Sequence, residues 1–237
     1  MKRPALYLCL TATLLAAQAA APEVEITAEP HHHLTFENKS VRVFNVEVLP
    51  NDATLMHWHR HDYIYVTLGD TEIANQVKDK LPATVTLKDG QTAFTPAPFA
   101  HLVRDSSDQP FRNVTVEILE DDSLRQSTSH WDEDRGLDIL ANGTKQILFV
   151  KDGIRVTEFE LQPGAVVPKH HYTGPHLLVA INDLDLREND LRSDVVGKVS
   201  MASHFKSGDS KWLPGNYSTA LTNAGPKPAK FVTLEFP

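Results

Sequence analysis

Three histidines offer the first chemistry in this sequence. His57 and His59 stand two apart in the run Met56-His57-Trp58-His59-Arg60-His61-Asp62-Tyr63, at the start of a strand-like segment. Residues i and i+2 of a strand share one face, so both imidazoles can meet the same point. His101 follows Phe94-Thr95-Pro96-Ala97-Pro98, and a later strand folded beside the first would bring it to that pair. One His-x-His pair is explained about as well by core or surface histidines; the third histidine tips the reading towards a site. Three neutral imidazoles suit a divalent first-row ion such as Fe, Mn, Ni, Co, Cu or Zn. For a fourth ligand the order is none or water, then His61, which shares parity with His59 if the strand stays regular, then Asp62. Arg60 or Arg104 is a candidate partner for a substrate carboxylate, and Tyr63 or Tyr65 a candidate proton donor.

The elements that must position these residues are strands. Val41, Val43, Val46 and Val48 lie in a run that ends at Pro50-Asn51-Asp52, and Ile64, Val66 and Leu68 alternate before Gly69-Asp70. Val85 and Leu87 precede Asp89-Gly90, and Val114, Val116 and Ile118 alternate again. No stretch carries a long 3.6-residue apolar period, so short strands with Gly, Pro and Asp turns predict an antiparallel barrel or sandwich.

The pattern occurs twice. VRVFNVEVLP (41–50) aligns without a gap on IRVTEFELQP (154–163), and the offset of 113 continues to residue 70. A second register, at an offset of 118, aligns residues 90–105 with 208–223 and 113–118 with 231–236. Self-similarity of this length predicts two copies of one domain. The expected boundaries are 22–125 and 140–237, joined by an acidic linker over 126–139. Residues 22–40 form a leader that can add an edge strand. Its triplet His31-His32-His33 is expected to have no fixed partner.

Composition bounds the rest. Lys2 and Arg3, the apolar run from Ala5 to Ala17 and an Ala-rich exit before Pro22 read as a secretory signal peptide over 1–21, and hence a periplasmic or secreted protein. The single cysteine, Cys9, leaves with it, so the mature chain has neither disulfide nor thiol chemistry. Loss of Lys2 and Arg3 leaves 21 basic against 31 acidic residues, which argues against a non-specific nucleic-acid binder. Nothing later in the chain has the length and apolarity of a transmembrane anchor.

At these residues the chain resembles the cupin superfamily, small jelly-roll barrels with two motifs. Gly90, Pro96, His101 and Asp105 fall at the spacings of the second motif, and His57 and His59 match the paired histidines of the first. With the duplication, residues 40–237 resemble a bicupin, which implies an all-β fold of two tandem jelly-roll barrels. The departures are Tyr63 near the place of the usual ligating Glu, Asn51 for the opening Gly and Pro98 for a later Gly. Some cupins resemble this chain in using three histidines alone. The second copy reads as a diverged site: His57 pairs with His170, His59 with Tyr172, Tyr63 with His176 and His101 with Thr219.

The resemblance implies a metal-dependent enzyme acting on a small organic molecule, oxygenase-type first, with Fe(II) the first choice of ion and Mn, Ni, Cu or Zn behind it. The rival reading is a non-catalytic periplasmic bicupin that binds a metal or small ligand. Either fits a monomer or a homodimer.

Overall fold

The computed structural model describes residues 22–119, 135–190 and 199–237. The expected signal segment and most of the expected linker lie outside these residues. The linker's last positions do not: Gly136–Leu140 is strand β11, because it pairs along its length with β12 (Gly143–Lys151). No helix among the described residues is long and apolar enough to cross a membrane.

The N-terminal half holds β1 (Val24–Glu25), β2 (His32–Glu37), β3 (Val41–Val48), β4 (His57–His59), β5 (Tyr63–Thr67), β6 (Thr71–Val77), β7 (Ala83–Leu87), β8 (Thr92–Thr95), β9 (Phe99–Asp105) and β10 (Phe111–Ile118). They form an outer sheet, β1-β4-β9-β6-β7, and an inner sheet, β2-β3-β10-β5-β8. Phe44, Val46, Val48 and Phe111 of the inner sheet meet Ile73, Leu87 and Val103 of the outer one to form the core between them. The leader supplies two strands rather than one: β1 runs parallel to β4, and β2 pairs antiparallel with β3.

The second half adds β13 (Ile154–Leu161), β14 (Val166–Tyr172), β15 (His176–Ala180), β16 (Leu184–Asp190), β17 (Val199–Phe205), β18 (Ser210–Leu213), β19 (Tyr217–Asn223) and β20 (Ala229–Glu235). Its inner sheet is β11-β12-β13-β20-β15-β18 and its outer sheet β14-β19-β16-β17. The expected closed barrels are therefore corrected to pairs of facing sheets, with no ladder joining the sheets of a pair among the described residues. In the first half, β1 is two residues long and runs into a 3-10 turn, Ile26–Ala28, so it cannot bond onward to the inner sheet.

The largest apolar cluster lies between the two inner sheets. Val41, Val43, Ile64, Val66, Leu68, Val114 and Val116 of the first half meet Ile154, Val156, Leu177, Val179, Ile181, Val232 and Leu234 of the second. These residues correspond one to one at the offsets 113 and 118, so the repeat packs against its own copy, as in an isologous dimer. It also explains why β3 and β13 are apolar on both faces: Val41 and Val43 meet the other half, while Phe44, Val46 and Val48 face their own outer sheet. Their burial patterns are identical along all eight residues. Trp212 stacks on Phe36 of the other half at 6.0 Å and packs on Phe236 at 5.2 Å. Turn chemistry follows the same correspondence. Asn51 has φ +66° and its counterpart Gly164 φ +78°, so asparagine, which tolerates the left-handed region, fills the place of the glycine.

A shared core makes a prediction. Ile64 and Leu177 are counterparts and both fully buried. Truncating either to alanine is expected to cost about 2–5 kcal/mol, and each variant should shift one common urea transition. Two separable transitions, one per half, would contradict a core held in common.

Candidate metal centre

Strand pairing brings the histidines together. His57 and His59 lie on one face of β4, and His57 stands directly opposite His101 on β9. All three side chains point between the sheets and are buried. The His57 ring lies 4.6 Å from that of His101 and 5.1 Å from that of His59. His32 enters from β2 on the facing sheet, its ring 4.6 Å from His57 and 6.3 Å from His59. Ligand atoms of His32, His57 and His59 lie within 4.8 Å of one another, the one such group of His, Cys, Asp or Glu among the described residues.

Hydrogen bonds fix which nitrogen of His57, His101 and His32 faces inward. The Leu55 carbonyl can only accept, so His57 Nδ1, 2.8 Å away, carries the proton and leaves its lone pair on Nε2. His101 Nδ1 donates to Asn75 Oδ1 at 2.9 Å, and His32 Nδ1 donates to Glu29 at 2.6 Å. His57 Nε2 is buried with no hydrogen-bond partner. His59 Nε2 lies 3.2 Å from His101 Nε2. Two nitrogens each bound at about 2.1 Å to one ion stand roughly 3.0–3.4 Å apart, so this spacing fits a shared cation. Outer partners that orient ligand imidazoles are the usual companions of such sites.

Electrostatics keep these rings available as donors. Burial, reinforced by the neighbouring histidines, holds His57 down to about 4 and His59 and His101 well below the ordinary histidine range. All three are neutral at pH 7. Tyr63 stacks on His59 at 4.3 Å, and burial pushes its phenol up to about 12, so it is a proton donor throughout the physiological range.

Glu29 is the anchor of the leader. Its buried carboxylate accepts from the His31 backbone N–H (2.8 Å), the His31 ring (3.0 Å), the His32 ring (2.6 Å) and the Leu55 N–H (3.1 Å). Burial opposes its ionisation, but the bonds from His32, His31 and Leu55 outweigh it and bring the group down to about 2. His31 and His32 thus correct the expectation that the leader triplet has no fixed partner. Its signal in the sequence is Glu29 three residues before His32, which is hard to see before β2 is known to pair with β3. Glu29→Gln puts an amide N–H among these donors. It is expected to cost about 1–3 kcal/mol and to weaken metal binding ~10- to 100-fold, by urea denaturation and metal titration.

Other expected participants lie elsewhere. β4 ends at His59 and His61 sits in a bend, so the parity argument for His61 does not hold. Asp62 Oδ1 accepts from the Ala97 N–H at 2.7 Å. Arg60 is exposed, bonded to Glu25 at 2.7 Å and stacked over Trp58, which straps β1 to β4; it does not line the cavity. Arg104 donates to the Asn51 carbonyl. Tyr63 and Tyr65, by contrast, line the cavity with the four histidines. That cavity measures about 410 Å³, and most of its remaining wall is apolar.

A buried Arg–Glu pair was missed in each half, although both registers of the repeat contain it. Arg42 bonds Glu117 at 3.2 Å and Arg155 bonds Glu235 at 2.7 Å. Glu117 Oε1 lies 3.9 Å from His59 Nδ1, and burial, only partly offset by Arg42, pushes this carboxyl up to about 7. In the second half His170 turns to Glu235 at 3.7 Å, while His176 stacks on Tyr172 at 3.9 Å and meets the Tyr217 hydroxyl at 3.3 Å. Tyr172 and Thr219 occupy the positions of His59 and His101, so the imidazoles of this half do not converge as those of the first half do.

No family model matches the chain, and no curated protein is similar in sequence. Its fold does match solved structures. A tryptophan-to-tyrosine variant of oxalate decarboxylase from Bacillus subtilis superposes with a TM-score of 0.60 at 10% identity, over 89% of this chain and 76% of that one. A structure used to assign the Mn(II) centres of the same decarboxylase gives a TM-score of 0.60 at 12% identity, over 89% and 76%. A glutamate-to-alanine variant of it gives 0.60 at 12%, over 86% and 74%. The chain therefore shares the fold of these structures.

Proposed function

We propose that the N-terminal sandwich is the metal centre of an enzyme acting on a small organic molecule. The observation that carries this is the set of buried imidazoles whose Nδ1 atoms are occupied at His32, His57 and His101 while Nε2 nitrogens gather at the wall of a cavity. His32, backed by Glu29, His57 and His59 would hold the ion, with His101 beside them at 3.2 Å from His59, and His61 takes no part. A ligand set of neutral imidazoles leaves the ion its full charge, with which it polarises a bound oxygen or activates dioxygen. The donor set favours Fe(II) over Mn(II). Imidazole suits iron, whereas manganese favours carboxylate, carbonyl and water, and no carboxylate is placed among these donors. Tyr63 holds a proton beside the site, and the apolar wall excludes water from the reacting molecule.

Oxygenation is the proposed reaction, and decarboxylation without oxygen uptake is the alternative favoured by the likeness to a decarboxylase fold. Protein loaded separately with Fe(II) and Mn(II) is supplied with a panel of small diketones, phenols and carboxylates, in air and under nitrogen. Substrate-dependent oxygen uptake by the Fe(II) form supports the proposal. Carbon dioxide release that persists under nitrogen replaces it with the alternative. Full metal loading with neither product would favour a binding protein.

A further inference from the structure

The cavity beside the histidines is built for a different kind of molecule from a two-carbon diacid. At about 410 Å³ it lies within the range of clefts that enclose drug-sized ligands. Val46, Ile73, Val85, Leu87, Val103 and Phe111 supply much of its wall. Histidines aside, Lys80 is the one charged residue that lines it, and Lys80 is exposed. The nearby arginine, Arg42, is already held by Glu37 and Glu117. A small dianion bound at the histidines would therefore find no buried cation for its second charge, and a buried charge without a partner is costly.

We infer that the substrate is a predominantly apolar molecule with a single oxygen-bearing head, which meets the imidazole cluster while its hydrocarbon body fills the cavity. This rests on the proposed metal centre and adds a substrate class to it. Lys80 and the histidines aside, the polar groups on the cavity wall are hydroxyls and amides, Thr54, Thr115 and Asn113 among them, so they can orient a head group without demanding a second charge. The apolar wall supplies affinity in proportion to the area it covers.

The test is a ligand series of constant head and growing tail. Protein loaded with Co(II) is titrated with oxalate, pyruvate, 2-oxohexanoate and 2-oxooctanoate, and binding is followed by the visible absorption of the metal. Affinity should rise about fourfold for each methylene buried, which places 2-oxooctanoate on the order of a hundred- to a thousandfold above pyruvate. Oxalate should bind no more tightly than pyruvate. Val85→Arg, which adds a cation on the edge strand β7, should compress the series at least tenfold and raise the affinity for oxalate. A flat series, or oxalate binding above 2-oxohexanoate, overturns the inference. Metal content measured on the same samples keeps the two readings apart. Stoichiometric cobalt with a flat series removes the substrate class alone, whereas protein that takes up no cobalt removes the centre and the inference with it.

Discussion

The His57→Ala protein is expected to fold and to hold no stoichiometric metal. His57 is the hub of the cluster: its ring lies 4.6 Å from those of both His32 and His101, and its Nε2 is buried without a hydrogen-bond partner. A desolvated acceptor of that kind is costly in a folded protein, and a bound cation removes the cost. Loss of an outer partner of a metal ligand already weakens binding ~10- to 100-fold, so loss of the ligand itself should exceed that, on the order of a thousandfold or more. The fold should survive, because the variant removes an uncompensated polar atom along with the packing of its ring. His101→Ala should behave likewise, and His61→Ala, altered in a bend outside the cluster, should bind as the parent does. The measurement is metal per chain after loading and desalting, with calorimetric titration of the metal-free forms. A His57→Ala protein that retains one ion per chain within threefold of the parent affinity would remove the centre from these residues.

How much of this was legible beforehand depends on whether the information was local. The pairing of His57 with His59 follows from strand periodicity, and the return of His101 from antiparallel folding. Both are short-range rules that the structure obeys in register, His57 opposite His101. The duplication was legible because its two offsets preserve the alternation, and the same correspondence organises the core between the halves. His32 was not legible, because its place depends on the pairing of β2 with β3 and on a buried carboxylate three residues before it. His61 was misplaced because strand parity was extended past His59, where the chain leaves the ladder. A two-residue period carries information only as far as the hydrogen bonds that enforce it.

Metal-free protein should lose stability steeply as pH falls from about 6.5 to 4.5. His57 titrates near 4 in the folded chain, depressed by burial, and His176 does the same in the second half, also by burial. His59 and His101 are depressed as well. An unfolded histidine takes its proton near 6.5. Between these values the unfolded chain binds protons that the folded chain refuses, so stability present above 6.5 is lost as pH falls towards the folded values. For His57 the difference is worth about 3 kcal/mol by pH 4. Glu117 acts in the opposite sense. Burial raises its folded value to about 7, so between 4.5 and 7 the folded chain holds a proton that the unfolded chain lacks, and stability contributed below that window is lost as pH rises. Glu158, also raised by burial, and His31, where bonds to Glu29 and Asp52 outweigh burial, act in the same sense as Glu117, and together these groups offset part of what the four depressed imidazoles contribute. The net slope is then on the order of 1–3 kcal/mol per pH unit, a large share of the ~5–15 kcal/mol of an ordinary domain over two units. Glu29, near 2, adds to the loss only below its unfolded value of 4.5. Urea denaturation at pH 7, 6, 5 and 4.5 checks the slope, and stability that is constant or rises over this interval would contradict it. A bound ion occupies the nitrogens that acid would protonate, so metal-loaded protein should pass through the same interval with a smaller loss. His57→Ala, which lacks one depressed imidazole and binds no metal, should show a shallower slope and no difference between loaded and unloaded samples. The buried imidazoles would then account for both the affinity for the ion and the cost of keeping the site empty in acid.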